Sequence, residues 1–421
     1  MVQLPIAAGL ATIGTMQHTM HRIPFETREI VKIGLIGCGG RGQYLLGEAC
    51  ACEGVEVVAV ADANEDAAAG AAAIATQAGL RAPAQHTGPH AWQHLLERDI
   101  DIVFIATPWH QHTPMAVAAM NAGKHAAVEV PAATTLEECW QLVETSERTR
   151  LHCVMLENCC YDFWEMLVKR MARAGLLGTL THAECAYIHD LRSLLLSDKS
   201  EGLWRRQPHI DRNGNLYPTH GLGPVAQCMG IGDDDAFDYL VSMSSMEASL
   251  KAYRDAHVPA GHPKRDEVYR SGDMNVSLIR TKLGRTIVLQ HDVVTPRPYD
   301  RIFLVAGTKG IARDYPPRLF LDGVGNHDAW PPQEAWLPLD EYKAQWQDPL
   351  WANLGEMARK RGGHGGCDFI MNYRLIQTLR EGEPPDMDVY DAADWSAPGP
   401  LSELSVANRS RPADFPDFRK M

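Results

Sequence analysis

The sequence predicts an α/β protein in two parts: a doubly wound parallel sheet near residues 31–158, then an α+β unit on an open, mainly antiparallel sheet. Three observations point there. Short apolar runs alternate with Ala-rich stretches through the first part, a glycine-rich turn follows the first run, and the later runs are joined through a tight turn.

In chain order, the strand runs of the first part are 31–37, 55–62, 101–107, 125–130 and 153–157. The stretches between them, such as 65–78 and 113–121, favour helix. Runs this apolar suit strands covered on both faces, as in a parallel sheet. In the second part, 163–174 and 219–229 read as helices, and 276–281, 286–292 and 302–307 as antiparallel strands with a turn at Gly284. Helices on one face of that open sheet are expected. With no internal repeat and no long low-complexity linker, the two parts should pack closely. The expected division is an N-terminal arm or remnant of an export signal (1–30), a nucleotide-binding unit (31–158) and a substrate-binding unit with a C-terminal helix and tail (159–421).

The 421 residues suffice for two substantial cores. Lys and Arg number 40 against 53 Asp and Glu, a net charge of −13 that repels nucleic acid and anionic membrane surfaces. Ten cysteines are present without a C-x-x-C pair, and several lie in apolar runs, so they read as reduced core residues. No stretch is long and apolar enough to span a bilayer. Residues 4–11 resemble a short signal core, yet no Lys or Arg precedes Arg22. As written, the chain reads as cytoplasmic; with an upstream signal it would be periplasmic or exported.

The first strand run leads into Gly37-Cys38-Gly39-Gly40-Arg41-Gly42, a G-x-G-x-x-G turn opening a helix. Gly37 permits the tight turn, Gly39 lets backbone approach a pyrophosphate, and Gly42 allows close helix–strand packing. Asp62 ends the next strand 20 residues after Gly42, where a carboxylate takes the ribose hydroxyls. The pattern predicts a Rossmann unit, and the acid favours NAD over NADP by repelling a 2′-phosphate.

The segment Thr107-Pro108-Trp109-His110-Gln111-His112, with Gly123-Lys124-His125 and Glu129-Val130-Pro131, resembles the glucose–fructose oxidoreductase/inositol dehydrogenase superfamily. That superfamily usually carries a lysine where this chain has Val130, which sets the chain apart from simple sugar dehydrogenases. A narrower resemblance is to glycoside hydrolase family 109. It rests on Leu156-Glu157-Asn158-Cys159-Cys160-Tyr161-Asp162, Ala186-Tyr187-Ile188-His189-Asp190-Leu191-Arg192, Leu216-Tyr217-Pro218-Thr219-His220-Gly221, Pro296-Arg297-Pro298-Tyr299 and Gly362-Gly363-His364-Gly365-Gly366. It extends over roughly residues 31–417.

The resemblance implies an NAD-dependent glycosidase, the best-known members acting on α-N-acetylgalactosaminides. It also implies that Gly40 and Arg41 meet the pyrophosphate and Asp62 the adenosine ribose. Trp109 to His112 would flank the nucleotide, with Glu129, Val130 and Asn158 near the nicotinamide ribose and Tyr217 stacked on nicotinamide or sugar. Tyr187, Arg205, Tyr217, His220 and Tyr299 would contact the sugar, a small-molecule glycoside or glycan terminus. In the implied cycle, NAD⁺ takes hydride from C3, the ketone acidifies C2–H, the C1 substituent leaves, water adds, and the hydride returns. Such a cycle is an exception to the usual pair of carboxylates.

The chemistry asks for a base at O3, a base at C2 and an acid at the leaving oxygen. His220 is expected at O3, since a neutral imidazole accepts a proton near neutral pH. Tyr187 is expected at C2, provided Arg205 or His189 lowers its pKa. His189 or Tyr299 would protonate the leaving oxygen. His364 is expected to ride on its glycine turn, and Gln290-His291-Asp292 to support the site from behind. His110 and His112 are two apart rather than four, so no metal is expected. Two other readings are a net sugar oxidoreductase releasing a keto-sugar and an inactive NAD–sugar sensor. A homo-oligomer through the open sheet is expected.

Overall fold

The computed structural model describes residues 19–420. The first sheet has six strands: β1 (Val31–Ile36), β2 (Val55–Asp62), β3 (Ala84–Thr87), β4 (Ile102–Ile105), β5 (His125–Val128) and β6 (Cys153–Met155). All pair in parallel, in the order β3-β2-β1-β4-β5-β6. The winding reverses between β1 and β4, so a crevice opens beyond their carboxyl ends, where open α/β sheets bind ligands. Ile102–Ile105 is buried throughout, as a strand covered on both faces must be. Sequence reasoning missed β3. Its Ala-Gln-His-Thr is polar and alternately half-buried and exposed at the sheet edge, so no apolar run marks it.

The second sheet has nine strands: β7 (Leu180–Ile188), β8 (Phe237–Ser244), β9 (Asn275–Thr281), β10 (Thr286–Asp292), β11 (Leu304–Gly307), β12 (Gly310–Arg313), β13 (Arg318–Leu321), β14 (Leu337–Pro338) and β15 (Ala413–Asp414). Their order is β14-β13-β12-β11-β7-β10-β9-β8-β15, antiparallel except where β7 meets β10. The β9–β10 hairpin turns at Gly284, which has φ 86°. Residues of β9 alternate between buried and exposed, so this sheet has a covered and an open face. Helix Thr219–Met229 lies against β7, β10 and β11, and helix Phe163–Arg173 packs on it. Both helices stand where the periodicity placed them.

The chain after residue 159 also returns to the first sheet. Helix Cys367–Glu381 packs on helix Gly40–Cys50, and helix Val389–Ser396 on helix Leu136–Thr149. Residues 19–30 lie against these returning segments: Met20 N–H donates to the Tyr390 hydroxyl at 3.0 Å, and Phe25 N–H to the Glu383 carbonyl at 3.1 Å. The apolar run at 4–11 falls outside the described residues. All ten cysteines are buried and unpaired with one another. Among the described residues, no helix is long and apolar enough to cross a membrane.

Candidate active site

A cleft of about 1080 Å³ runs from the carboxyl ends of β1, β2 and β4 to the face of the second unit. Its phosphate end is made of backbone. Gly37 has φ 89°, and a Cβ there would stand 2.7 Å from the Ala106 carbonyl. A Cβ on Gly42 would stand 1.9 Å from the Gly37 oxygen, so helix and turn approach as closely as only glycine permits. Gly39 and Gly40 line the cleft with open space beside them. No side chain caps the helix Gly40–Cys50, which leaves its first N–H groups available to an anion.

Asp62 lines the same end and is fixed from two sides. Its Oδ2 accepts from Cys38 N–H at 2.7 Å and its Oδ1 from Asn64 N–H at 2.8 Å. A carboxylate has lone pairs left for two ribose hydroxyls. An open glycine floor, an uncapped helix start and an acid on the next strand fit a dinucleotide diphosphate without a 2′-phosphate.

Arg41 turns from the glycine loop into a buried charge network. Its Nε donates to Glu129 Oε1 at 2.7 Å, and its guanidinium lies 3.0 Å from Asp368 Oδ1. Asn158 Nδ2 donates to the same Asp368 oxygen at 2.8 Å, and His364 Nδ1 stands 2.7 Å from the other. Burial alone would raise the Asp368 pKa, but His364 and Arg41 hold it down at about 2. The glycines around His364 are thereby explained. Gly363 has φ 48°, and a Cβ there would meet the Tyr44 hydroxyl at 1.6 Å. His364 itself has φ 45°, a conformation a non-glycine residue adopts only when its surroundings impose it. It lines the cleft with its side chain half exposed.

Between the two ends, Trp109 opens helix Trp109–Asn121 and meets Trp204 edge-on, ring centres 5.2 Å apart. Val130 also lines the wall. His112 is almost wholly buried, its Nδ1 2.8 Å from the Pro131 carbonyl and its Nε2 2.7 Å from the Thr107 carbonyl. Both ring nitrogens being engaged, His112 ties together the two loops that border the nucleotide and presents no free polar atom to it.

The sugar end gathers side chains from scattered segments. Tyr187 is on β7, and its hydroxyl is 3.2 Å from His189 Nδ1 and 3.5 Å from Arg205. The Arg205 guanidinium lies 5.0 Å from the Tyr217 ring centre and 5.2 Å from that of Trp109, and donates to Glu201 at 2.5 Å. Tyr217 lies just before helix Thr219–Met229 and His220 in its first turn, the phenol 3.5 Å from His220 Nε2. His220 Nδ1 is 2.7 Å from Glu157 Oε1. Tyr299 accepts from Arg301 at 3.2 Å, and its ring stands edge-on to His189. Behind Tyr187 sits His291, stacked in turn on His209, while Asp292 caps Val294 N–H and Thr295 N–H.

One expectation is corrected here. Burial pushes the Tyr187 phenol above its ordinary pKa, and Arg205 offsets only part of that rise. Burial likewise raises Tyr217 and Tyr299, whereas it lowers His189, with Arg205 adding to the effect. The tyrosines are thus neutral donors and His189 a neutral imidazole near pH 7.

The structure brings together Tyr187, His189, Arg205, Tyr217, His220 and Tyr299 in one cleft with the glycine loop and Asp62. Sequence reasoning singled out neither Glu157 nor Asp368, and it placed His364 only on a glycine turn, whereas the structure puts His364 on the cleft wall beside Asp368. Glu157 was legible only as the end of a strand run, and Asp368 only as an acid four residues beyond His364. Glu157, Cys159 and His220 place three donor atoms within 4.8 Å, but the carboxylate and imidazole bond each other and burial holds the Cys159 thiol protonated.

Comparison with known proteins assigns both parts of the chain to known families. Residues 31–157 match the oxidoreductase family with an NAD-binding Rossmann fold, and residues 161–421 match the C-terminal domain of glycosyl hydrolase 109. The chain is 54% identical over 419 residues to a glycosyl hydrolase family 109 protein of Solibacter usitatus, covering 99% of this chain and 94% of that one. It is 46% identical over 397 residues to an alpha-N-acetylgalactosaminidase of Bacteroides fragilis, covering 93% and 92%. Among solved structures, levoglucosan dehydrogenase with NADH and levoglucosan aligns with TM-score 0.71 at 20% identity, covering 92% of this chain and all of that one. The WlbA dehydrogenase of Bordetella pertussis, with NADH and UDP-GlcNAcA, aligns with TM-score 0.66 at 16% identity, covering 93% and 99%. These two share the fold.

Proposed function

The chain belongs to glycosyl hydrolase family 109 and is an NAD-dependent glycosidase; from that premise we propose that it hydrolyses N-acetylgalactosaminides or closely related glycosides by transient oxidation at C3 and elimination across C1–C2. The observation behind this reading is the set of neutral acid–base groups beside the glycine loop, where a two-carboxylate glycosidase would place paired acids across the scissile bond. When bound, NAD supplies a hydride acceptor that returns the hydride within the same turnover.

The protein's own groups do the rest. His220, its Nδ1 held by Glu157, takes the proton from O3 at Nε2. Tyr187 removes the C2 proton while passing its own to His189, which stands 3.2 Å away and is kept neutral by burial. A relay of this kind replaces the standing phenolate that burial forbids. His364 protonates the leaving oxygen. It is half exposed on the cleft, its Nδ1 is fixed by Asp368, and its Nε2 remains available. His189 is committed to Tyr187, and Tyr299 is buried against Arg301 with its pKa raised, so both suit that task less. Arg205, Tyr217 and Tyr299 orient the ring. Residues 31–158 thus hold the nucleotide and residues 159–421 the sugar.

The reading is tested with nitrophenyl glycosides of several sugars and both anomers, following nitrophenol and NADH absorbance together. Sustained nitrophenol release on N-acetylgalactosaminides without accumulating NADH is expected. NADH rising in step with sugar consumed, without nitrophenol, would instead identify a net oxidoreductase.

The open face of the second sheet exposes Met243 of β8 beside Val276 and Leu278 of β9. A second copy of the chain covering this face is the homo-oligomer we propose.

A further inference from the structure

Glu157 sits at the end of β6 with none of its surface exposed, and one of its oxygens accepts from His220 Nδ1 at 2.7 Å and from Cys159 N–H at 3.1 Å. The other oxygen makes no close hydrogen bond, the buried Thr219 hydroxyl being the neighbouring donor that favours its charge. A carboxylate left half-satisfied in the interior costs stability, so a structural role alone gives no reason for it. His220 lies in the first turn of helix Thr219–Met229, where the helix dipole disfavours positive charge. Its other charged and titratable neighbours are Tyr217, Tyr187, His189, Arg205 and Cys159. Arg205 is a fixed cation, and burial keeps the three phenol and thiol groups protonated. Nothing in this set except Glu157 favours an imidazolium.

We propose that Glu157 is the positioning residue of the oxidation step: it fixes the His220 tautomer so that Nε2 faces the sugar, and it neutralises the imidazolium formed when O3 loses its proton. The proposal rests on the assignment of His220 to O3 made above. With Nδ1–H directed at Glu157, the lone pair of Nε2 opens to the cleft on the side of the Tyr217 hydroxyl. The proton moves from O3 to Nε2 as C3 is oxidised, a step for which bound NAD would supply the two-electron acceptor, and the charge pair Glu157–His220 holds until C3 is reduced again and the proton goes back. Nothing is consumed. The arrangement follows the logic by which a buried acid supports a catalytic histidine elsewhere, here delivered from the neighbouring Rossmann unit.

The test is Glu157→Gln in the holoenzyme, which keeps an acceptor for Nδ1–H and removes only the charge. We expect kcat to fall about 30- to 1000-fold, with a larger C3-deuterium isotope effect. The acid limb of kcat/KM should also move to lower pH, because an imidazole deprived of its carboxylate releases a proton more readily. Glu157→Asp, which restores the charge, should restore the limb even if the rate stays low. An unchanged pH profile and isotope effect in folded Glu157→Gln would overturn the proposal, as would an acid limb displaced equally in both variants. If the Gln variant does not fold, the Asp variant still decides: a displaced limb in it counts against the proposal. His220→Asn is measured in parallel. Near-normal activity there defeats the O3 assignment itself, whereas loss of activity there with a normal Glu157→Gln profile defeats only the inference about Glu157.

Discussion

At the phosphate end of the cleft, the lining comes from one short stretch of chain, Gly37 and Gly39 to Arg41, with a carboxylate at the end of the next strand. At the other end, side chains from five separated stretches line the cleft or brace those that do: Glu157 after β6, Tyr187 and His189 at the end of β7, Arg205 to His220, Tyr299, and His364 with Asp368. In the function proposed above, the first end would bind by shape and dipole and be nearly indifferent to pH. The second would work through proton positions, and burial has moved the pKa values of its tyrosines and of His189 from their usual places. A nucleotide site can therefore be written in one stretch of sequence. A proton-transfer site must be assembled by the fold.

If the contrast holds, substitutions at the sugar end cost turnover and those at the phosphate end cost cofactor. The largest effect is expected for His220→Asn: kcat down by about 10³-fold or more with NAD still bound, checked by nitrophenol release and by the NAD retained on the purified protein. Next is His364→Asn. It should lower the rate on alkyl glycosides by about 10²- to 10³-fold but on nitrophenyl glycosides by less than about tenfold, because a good leaving group needs no acid. Equal losses on both classes would return His364 to a structural role. Asp62→Ala should weaken NAD by about 10- to 100-fold, read as the Kd for NAD, with kcat little changed at saturation.

The smallest effect is on stability. Asp368 has a folded-state pKa of about 2, below its ordinary value near 3.8. A depressed acid stabilises the fold above its unfolded pKa, and that contribution, on the order of 2 kcal/mol, fades as pH falls from about 4 towards 2. Asp368→Asn should therefore flatten the acid side of the Tm–pH curve between these values. An unchanged curve would mean that the network around Arg41 is not held by this charge.

The same contrast explains what could be read in advance. The glycine turn, Asp62 and five of the six strands of the first sheet stood out because buried parallel strands are continuous apolar runs; β3 did not, being a four-residue polar edge. In the second sheet, β9 and β10 showed through alternation and a glycine turn. The strands Gly310–Arg313 and Arg318–Leu321 did not, being four residues each with glycine or arginine at the ends. His220 and Tyr187 were recognisable, yet Glu157 was not, because its partner lies 63 residues away and only the fold joins them. The expected lowering of the Tyr187 pKa failed for a related reason. Sequence shows that an arginine is near in the chain but not that the phenol is desolvated, and burial is the larger effect here.

The most direct test of the account is hydrolysis of an N-acetylgalactosaminide in D₂O, with the released sugar examined by NMR and mass spectrometry. Abstraction and return of the C2 proton predict deuterium at C2 of every product molecule formed in the first turnovers. Product with protium at C2, released at an undiminished rate, would contradict elimination and point to direct displacement at C1.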